Sequence, residues 1–551
     1  MTNQTLRIIP LGGLGEIGKN MMVVEWQDHI VVIDAGVMFP QNDMWGIDLV
    51  IPDFGYLLDK RDRVEGIIIT HGHEDHTGGL PYLLREIRAP VFATRLTLGL
   101  IEVKLREYGM LGRAQLHRID AGEALSLGPF TLEFFATNHS IPDGVGLAMD
   151  TPQGLVVHSG DFKIDYTPVE GRPADLGKLA ELGNRGVLVL LADSTNSESP
   201  GFTPSERVID QAFDQVLEEA PGRIIVTTFA SLISRIQQVM NAAQYHNRKV
   251  AVTGRSMEEN IRIAQELGYL TIPRGLLVHL SEIERLHPRQ VVIIATGSQG
   301  EPSAALARMA RGQHYQIEIV PGDTVIISAH AVPGNEEFVH DTINRLFQRG
   351  ADVMYDKIAP VHVSGHASQE EQKLLIHLVR PCYFVPIHGE LRHLKLHARL
   401  AQQIGIPPER TLVVENGYVL EFDERGGRIG ERIPGGYVFV DGAGVGDVGP
   451  AVMRDREVLG QDGVVIAVAK VDTWSHKLRE RPEIHSRGFV YVREAEDLLE
   501  GAREEIERTL QRSEPAETRK ATESRVREAL QQYFYREIQR RPMIFPIIVE
   551  I

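Results

Sequence analysis

The stretch "THGHEDHTGG", residues 70–79, places His71, His73, Asp75 and His76 in the order H-x-H-x-D-H. Imidazole and carboxylate together suit Zn²⁺ or Mn²⁺. The plain alternative is a solvated polar loop, and the context argues against it. The apolar run "EGIIIT" precedes the cluster, and the turn "TGG" leads into the helical pattern "LPYLLREI". Side chains there project from a loop at the carboxyl end of a strand, where α/β folds place their sites. Four ligands on one short loop cannot all wrap a single ion, so two ions sharing further ligands are expected. His139 in "FFATNHSIPD", Asp161 in "LVVHSGDFKID" and His388 in "YFVPIHGE" each come after a β-like apolar run, as the cluster does.

The elements that must position these residues fall into three groups. Residues 1–202 read as β-rich, with short Ile- and Val-rich strands such as "LRIIPLGG", "NMMVVEW", "HIVVIDAG" and "TLEFFATNHS". Over 203–354 strands and helices alternate, as in "RIIVTTF", "LISRIQQVMNAAQYH", "KVAVTG" and "QVVIIATGSQG", the pattern of a separate parallel α/β unit. Residues 355–435 return to strand and loop chemistry, as though the first domain were interrupted by the second. The Gly-rich "PGGYVFVDGAGVGDVG" predicts a linker over 436–460, and 461–551 a small α+β domain with two charged helices and the last strand "MIFPIIVEI". The mixed charge of those helices fits a solvated face better than a nucleic-acid surface.

Composition excludes several classes. With 58 Lys+Arg against 75 Asp+Glu, a net charge of −17, the chain cannot coat nucleic acid by bulk attraction, though a local basic groove is compatible. The single cysteine, Cys382, rules out an internal disulfide and a thiolate-rich metal site, fits a reducing cytosol, and is expected as a small buried residue. No secretory signal or apolar run of membrane-spanning length is visible, so a cytoplasmic protein without membrane association is expected. "GLGEIG", Gly13 to Gly18, with Asp34 downstream, has the letters of a dinucleotide fingerprint. The next residues, "KNMMVVEWQDHIVVID", are strand-like, without the helix N-terminus that a pyrophosphate needs, so tight turns in a sheet are the better reading.

The ordered set "LGGLGEIGKNM", "GIDLVIPD", "THGHEDHTGG", "TTFAS", "ATGSQGEP", "VHVSGHAS" and "PIHGE" resembles the metallo-β-lactamase superfamily, its β-CASP branch, and within that the bacterial ribonuclease J family. The H-x-H-x-D-H motif specifies only the superfamily; the ordered set is specific and runs over nearly the whole chain. The resemblance implies an αββα sandwich with an inserted β-CASP α/β domain and a small α+β C-terminal domain. It implies one ion on His71, His73 and His139, a second on Asp75, His76 and His388, and Asp161 bridging. Two ions about 3.5 to 4 Å apart can clamp the attacking and leaving oxygens of a phosphodiester and lower the pKa of a shared water, the expected nucleophile. Asp75, Asp193 in "LADSTN" and His366 are the expected catalytic residues, Asp193 by orienting a ligand histidine and His366 by protonating the leaving 3′ oxygen or holding the phosphate.

The loop His362, Val363, Ser364, Gly365, His366 and Ser368 resembles the family's substrate loop, and Ser231 a second contributor to a pocket for a 5′ monophosphate. Arg235, one helical turn beyond Ser231, reads equally as a phosphate partner or an exposed helix charge. Asp48 and Asp447 could hold a structural Ca²⁺. The implied activity is hydrolysis of single-stranded RNA, 5′→3′ from monophosphate ends and also endonucleolytic, in mRNA decay and rRNA processing. A homodimer or homotetramer, within an RNA-degradation complex, is implied as well. A thioester or lactam hydrolase would need neither the insertion nor the "HVSGHAS" loop. A non-catalytic RNA-binding scaffold would not need to keep every ligand.

Overall fold

The computed structural model describes residues 4–41, 43–169, 172–332, 334–475, 477–491, 495–511 and 518–551. They form two compact units, residues 1–41 with 49–438, and residues 42–48 with 439–551.

The first unit is built on two mixed sheets. One has eight strands, with Leu6–Gly12, Met21–Trp26, His29–Ile33 and Val64–Ile68 at its centre; the other has six, with Gly154–His158, Val187–Asp193 and Tyr383–Ile387 on one side. Side chains alternate between faces along a strand, and the sequence exploits that period. In His29–Ile33, Val31 and Ile33 join one apolar cluster with Phe130, Leu132, Leu147 and Val189 of the other sheet. Ile30 and Val32 face the opposite way, onto Leu80, Leu83, Ile101 and Leu105 of helices Leu80–Glu86 and Arg95–Glu107. The far face of the second sheet, through Leu155, Val157 and Leu190, packs on Leu179, Leu182, Leu375 and Ile376 of two further helices. Helix, sheet, sheet and helix thus stack in four layers. Burying each such residue contributes roughly 1.5 to 3 kcal/mol.

The inserted five-stranded sheet is parallel throughout, in the order Lys249–Thr253, Val291–Ala295, Ile224–Thr227, Thr324–Ile327, Asp352–Met354. Its three inner strands, Val291–Ala295, Ile224–Thr227 and Thr324–Ile327, are buried throughout, as parallel strands covered by crossover helices must be. Ile224 and Val226 pack with Ile236 and Met240 on one side, while Ile225 packs with Leu306 and Ile343 on the other. The insert is not packed separately. Leu96, Leu100 and Ile141 of the sandwich share the cluster of Ile209, Phe213 and Val226, because a helix face too apolar for water needs a neighbour.

In the second unit, Val464–Val471 pairs antiparallel with Glu483–Arg487 and parallel with Met543–Glu550. Helices Glu496–Gln511 and Arg519–Ile538 cover one face through Leu499, Ile506, Val526 and Leu530. Two expectations differ. The stretch 436–460 is not an irregular linker: it holds strand Tyr437–Asp441 and most of helix Pro450–Asp462. Pro450 at the first helical position, after Gly449, starts a helix that the glycine-rich run before it obscures. Cys382 is exposed, since it precedes strand Tyr383–Ile387 rather than lying on its packed face.

Candidate metal centre and substrate loop

Parallel strands end on the same edge, and the site is assembled from such ends. Asp34 and His71 lie just beyond the neighbouring parallel strands His29–Ile33 and Val64–Ile68. Asp161, Asp193 and His388 lie at or beyond the ends of the neighbouring parallel strands Gly154–His158, Val187–Asp193 and Tyr383–Ile387. Tight loops then bring the edges together. Any Cβ on Gly36 would meet the Asp75 carbonyl oxygen at 1.6 Å, so only glycine lets the two loops touch. Asp34 and His388 adopt left-handed φ of 62° and 52°, uncommon for non-glycine residues and concentrated where side chains must be aimed.

All seven expected ligands converge. His71, His73 and His139 form one group able to hold a metal ion, and Asp75, His76, Asp161 and His388 another. Around Asp161 Oδ2 stand His76 Nε2 at 3.3 Å, His388 Nε2 at 3.5 Å, His71 Nε2 at 3.6 Å and His139 Nε2 at 3.7 Å. His73 Nδ1 lies 3.1 Å from His71 Nε2 and 3.0 Å from His139 Nε2. Ligands placed tetrahedrally about 2.1 Å from one ion are separated by about 3.4 Å, so these contacts match ligand spacing. His73 Nδ1 carries at most one proton and cannot donate to both neighbouring ring nitrogens, whereas a cation among the three satisfies all of them.

The electrostatics match this donor set. Burial pushes His71 and His139 well below the ordinary imidazole range and His73 to about 4, so these rings are neutral with lone pairs free. Burial opposes charge on His76 and His388 too, but Asp161, Asp75 and, for His76, Asp34 outweigh it and push both up, His388 to about 9. The two carboxylates, for their part, are held well below the usual range by those histidines against the effect of burial. The centre therefore demands positive charge, which divalent ions satisfy.

The other ring nitrogens are held from outside. His76 Nδ1 meets Asp34 Oδ2 at 2.8 Å, and Asp34 is fixed in turn by the Thr70 N–H at 2.8 Å. His139 Nδ1 donates to the Gly365 carbonyl at 2.7 Å, a contact that a Cβ on Gly365 would obstruct. Thr195 Oγ1 lies 2.6 Å from His388 Nδ1 and 2.8 Å from Asp193 Oδ1, so Asp193 reaches the ligand through a hydroxyl. Its other oxygen takes His366 Nδ1 at 2.7 Å. Such outer partners fix tautomer and ring direction. Asp34, Thr195, Asn20, whose Nδ2 lies 3.1 Å from His76 Nε2, and the buried His158 escape sequence reasoning. The clue to Asp34 is present, an acid ending an apolar run beside the His71 strand, but on the sequence it suggests only a ribose ligand.

Within the expected substrate loop the residues divide. His366 reaches the centre, grouping with His139 and Asp161 and with Asp193 and His388. His362 is largely buried, with Nδ1 lacking a hydrogen-bond partner among the described residues. Ser364 Oγ accepts from the His366 N–H at 3.2 Å. Val363 packs in the insert's core and offers only its backbone. Ser368 is buried, its Oγ 2.8 Å from Thr203 Oγ1, at the start of helix Gln369–Val379. Ser231 is half-buried just before helix Ile233–Tyr245. Arg235 is neither exposed nor free for phosphate: buried, it pairs with Glu206 at 2.6 Å and donates to the Val361 carbonyl at 3.1 Å. Glu74 pairs with Lys104. In the second unit Asp48 and Asp447 border the turn after Asp441, Asp48 accepting from the Gly442 N–H at 2.8 Å and Asp447 lying against Gly444. Two acids supply too few oxygens for Ca²⁺, which takes six to eight, so an ion there needs further ligands.

Residues 14–186 match the metallo-beta-lactamase superfamily, 221–346 the ribonuclease J beta-CASP domain, 350–410 the Zn-dependent metallo-hydrolase RNA specificity domain, and 451–551 the ribonuclease J C-terminal domain. Ribonuclease J 1 of Streptococcus pyogenes is 45% identical, over 100% of this chain and 99% of its own length. The chain belongs to the ribonuclease J family. Ribonuclease J2 of Bacillus subtilis is 43% identical over the same shares, and ribonuclease J of Thermus thermophilus 44% over 99% and 95%. A solved structure of a protein of unknown function from Enterococcus faecalis shares the fold at a TM-score of 0.54, covering 76% of this chain and 100% of that one, at 14% identity. The four layers are thus the metallo-β-lactamase sandwich of this family, and the parallel sheet its β-CASP insertion. No helix among the described residues is long and apolar enough to cross a membrane.

Proposed function

We propose that this ribonuclease J family member hydrolyses phosphodiester bonds of single-stranded RNA with two divalent ions, Zn²⁺ or Mn²⁺, held by His71, His73 and His139 and by Asp75, His76 and His388, with Asp161 shared. The observation that carries the reading is the convergence of imidazole nitrogens from both sheets on Asp161 Oδ2. Such ions would supply Lewis acidity and lower the pKa of a water, making hydroxide available as the nucleophile at neutral pH.

The chain's own groups position and protonate. His366 has its Nδ1 bound to Asp193 at 2.7 Å, which makes Nε2 the nitrogen left to act on the substrate. Burial disfavours its charge, yet Asp193 outweighs burial and raises its affinity for a proton, so Nε2 can hand one to the leaving 3′ oxygen. Ser231, His362 and Ser364 form the pocket for a 5′ monophosphate, which favours 5′→3′ exonuclease action over internal cleavage. The enzyme works in the cytoplasm in RNA decay and rRNA maturation, as a homodimer or homotetramer within a degradation complex. Despite a net charge of −17, local phosphate contacts suffice.

Incubation of 5′-monophosphorylated RNA with Mn²⁺, alongside His73→Ala, tests the reading. Metal-dependent release of nucleotides by the wild type alone is expected; equal release by the variant overturns it. A triphosphate or hydroxyl 5′ end should be degraded more slowly.

A further inference from the structure

A second charged cluster lies beside the metal centre, and the catalytic scheme does not use it. Glu206 is buried and its carboxylate is divided between two buried cations: Oε1 takes Lys163 Nζ at 3.1 Å and Oε2 takes Arg235 Nη2 at 2.6 Å. Arg235 belongs to the insert, whereas Lys163 stands two residues after Asp161 in the sandwich. Asp165 closes the cluster, 4.0 Å from Lys163 and accepting from the Glu206 N–H at 3.1 Å, so two acids balance two bases. Each cation then spends a remaining donor on the same short loop: Lys163 Nζ on the Ser364 carbonyl at 3.3 Å, and Arg235 Nη1 on the Val361 carbonyl at 3.1 Å. The two carbonyls bracket His362.

Buried ion clusters of this kind add little stability over an apolar replacement, because desolvation offsets the attraction. What charge-assisted hydrogen bonds supply is fixed geometry. The Val361 carbonyl also accepts from Ser328 Oγ at 2.6 Å, and Arg235 Nη1 contacts that same hydroxyl, so Arg235 holds this end of the loop together with Ser328. We propose that Glu206, Lys163 and Arg235 are positioning residues, a clamp spanning sandwich and insert that sets residues 361–364 where the phosphate of the RNA binds. The inference rests on the reading of this loop as the substrate loop. His366 meets the clamped residues only through its N–H on Ser364 Oγ at 3.2 Å, while its carbonyl is held by Asn196 at 3.0 Å and Thr203 at 2.7 Å and its ring by Asp193. Loosening the clamp therefore weakens RNA binding and spares the chemical step.

The test is Glu206→Gln, nearly isosteric and uncharged, with steady-state kinetics on 5′-monophosphorylated RNA, metal content, and hydrogen exchange of the 361–365 amides. KM should rise about ten- to a hundredfold, as misplacement of a positioning group does. kcat and bound metal should stay near the wild-type values, and loop exchange should quicken about tenfold. Glu206→Asp, which keeps the charge, should recover part of the KM. Unchanged loop exchange in the folded variant overturns the clamp whatever the activity, as does a fall in kcat at constant KM. Wild-type protein that releases no nucleotide overturns the ribonuclease reading instead. If Glu206→Gln does not fold, Lys163→Met, which keeps the Glu206–Arg235 pair, reads the same loop through Ser364 alone, with the same expected and overturning results.

Discussion

The metal-ligand cluster and the Glu206 cluster are both buried and both rich in charge, yet they are completed in opposite ways. Around Glu206 each cation faces a carboxylate or carbonyl at hydrogen-bond distance, and nothing further is needed. Around Asp161, imidazole nitrogens face one another at about 3 Å while their outer nitrogens are tied back to Asp34, Thr195 and Gly365. A self-satisfied cluster is architecture. One whose donors are held in place but left facing each other is a receptor for a cation, because no other species neutralises several converging lone pairs and carboxylates together.

The sharpest way to break this contrast is His76→Ala, which removes a ligand inside the centre. Loss of activity on RNA by about a thousandfold or more, equivalent to roughly 4 kcal/mol of barrier, should accompany a drop in bound metal. A variant with full metal content and activity would refute the ligand assignment. Asp34→Ala acts one step outward. Metal titration into chelator-treated protein should show affinity weakened about 10- to 100-fold, and unchanged affinity would deny Asp34 its orienting role.

Smaller effects test buried histidines outside the ligand set. Burial lowers His158 to about 4 and His397 to about 3, so both are neutral in the folded chain. A base whose folded pKa lies below its unfolded value near 6.5 adds stability that is whole above 6.5 and is lost as pH falls toward the folded value. Urea unfolding should therefore lose stability at up to about 1.4 kcal/mol per pH unit for each such ring between about pH 6 and 4.5. His397→Asn should flatten that slope; an identical slope would remove His397 from the account. The smallest change is expected from Lys104→Ala, which breaks the pair between the partly covered Lys104 and the exposed Glu74 and should cost about 1 kcal/mol by thermal or urea unfolding.

Much of the fold and the centre is legible in residue order, and the features that escape do so for a common reason. H-x-H-x-D-H and the acids and histidines closing other apolar runs announce themselves, because a polar residue of ligand type directly after a strand is a local signal. Asp34 has the same local form, but its partner His76 is forty-two positions away and nothing in the intervening sequence pairs them. Arg235 shows the reverse error. On the sequence it reads as a phosphate partner or a charge on a helix surface, and only Glu206, Ser328 and Val361 closing around it make it internal. Helix Pro450–Asp462 is hidden by the glycines before it, and Cys382 is assigned by residue type to a core that its position just before the strand does not reach.

The sequence by itself determined the alternating and fully apolar strands, hence the layers, and it singled out the candidate ligands, the imidazoles and carboxylates that converge at the strand ends. Tertiary structure alone decided which groups hold those ligands from behind, which charges are spent inside the protein, and which of the loop residues 362–368 face the site. The physical reason is that ligand chemistry resides in single side chains, whereas orientation and burial arise from contacts between segments far apart in the chain, whose distances no local pattern encodes.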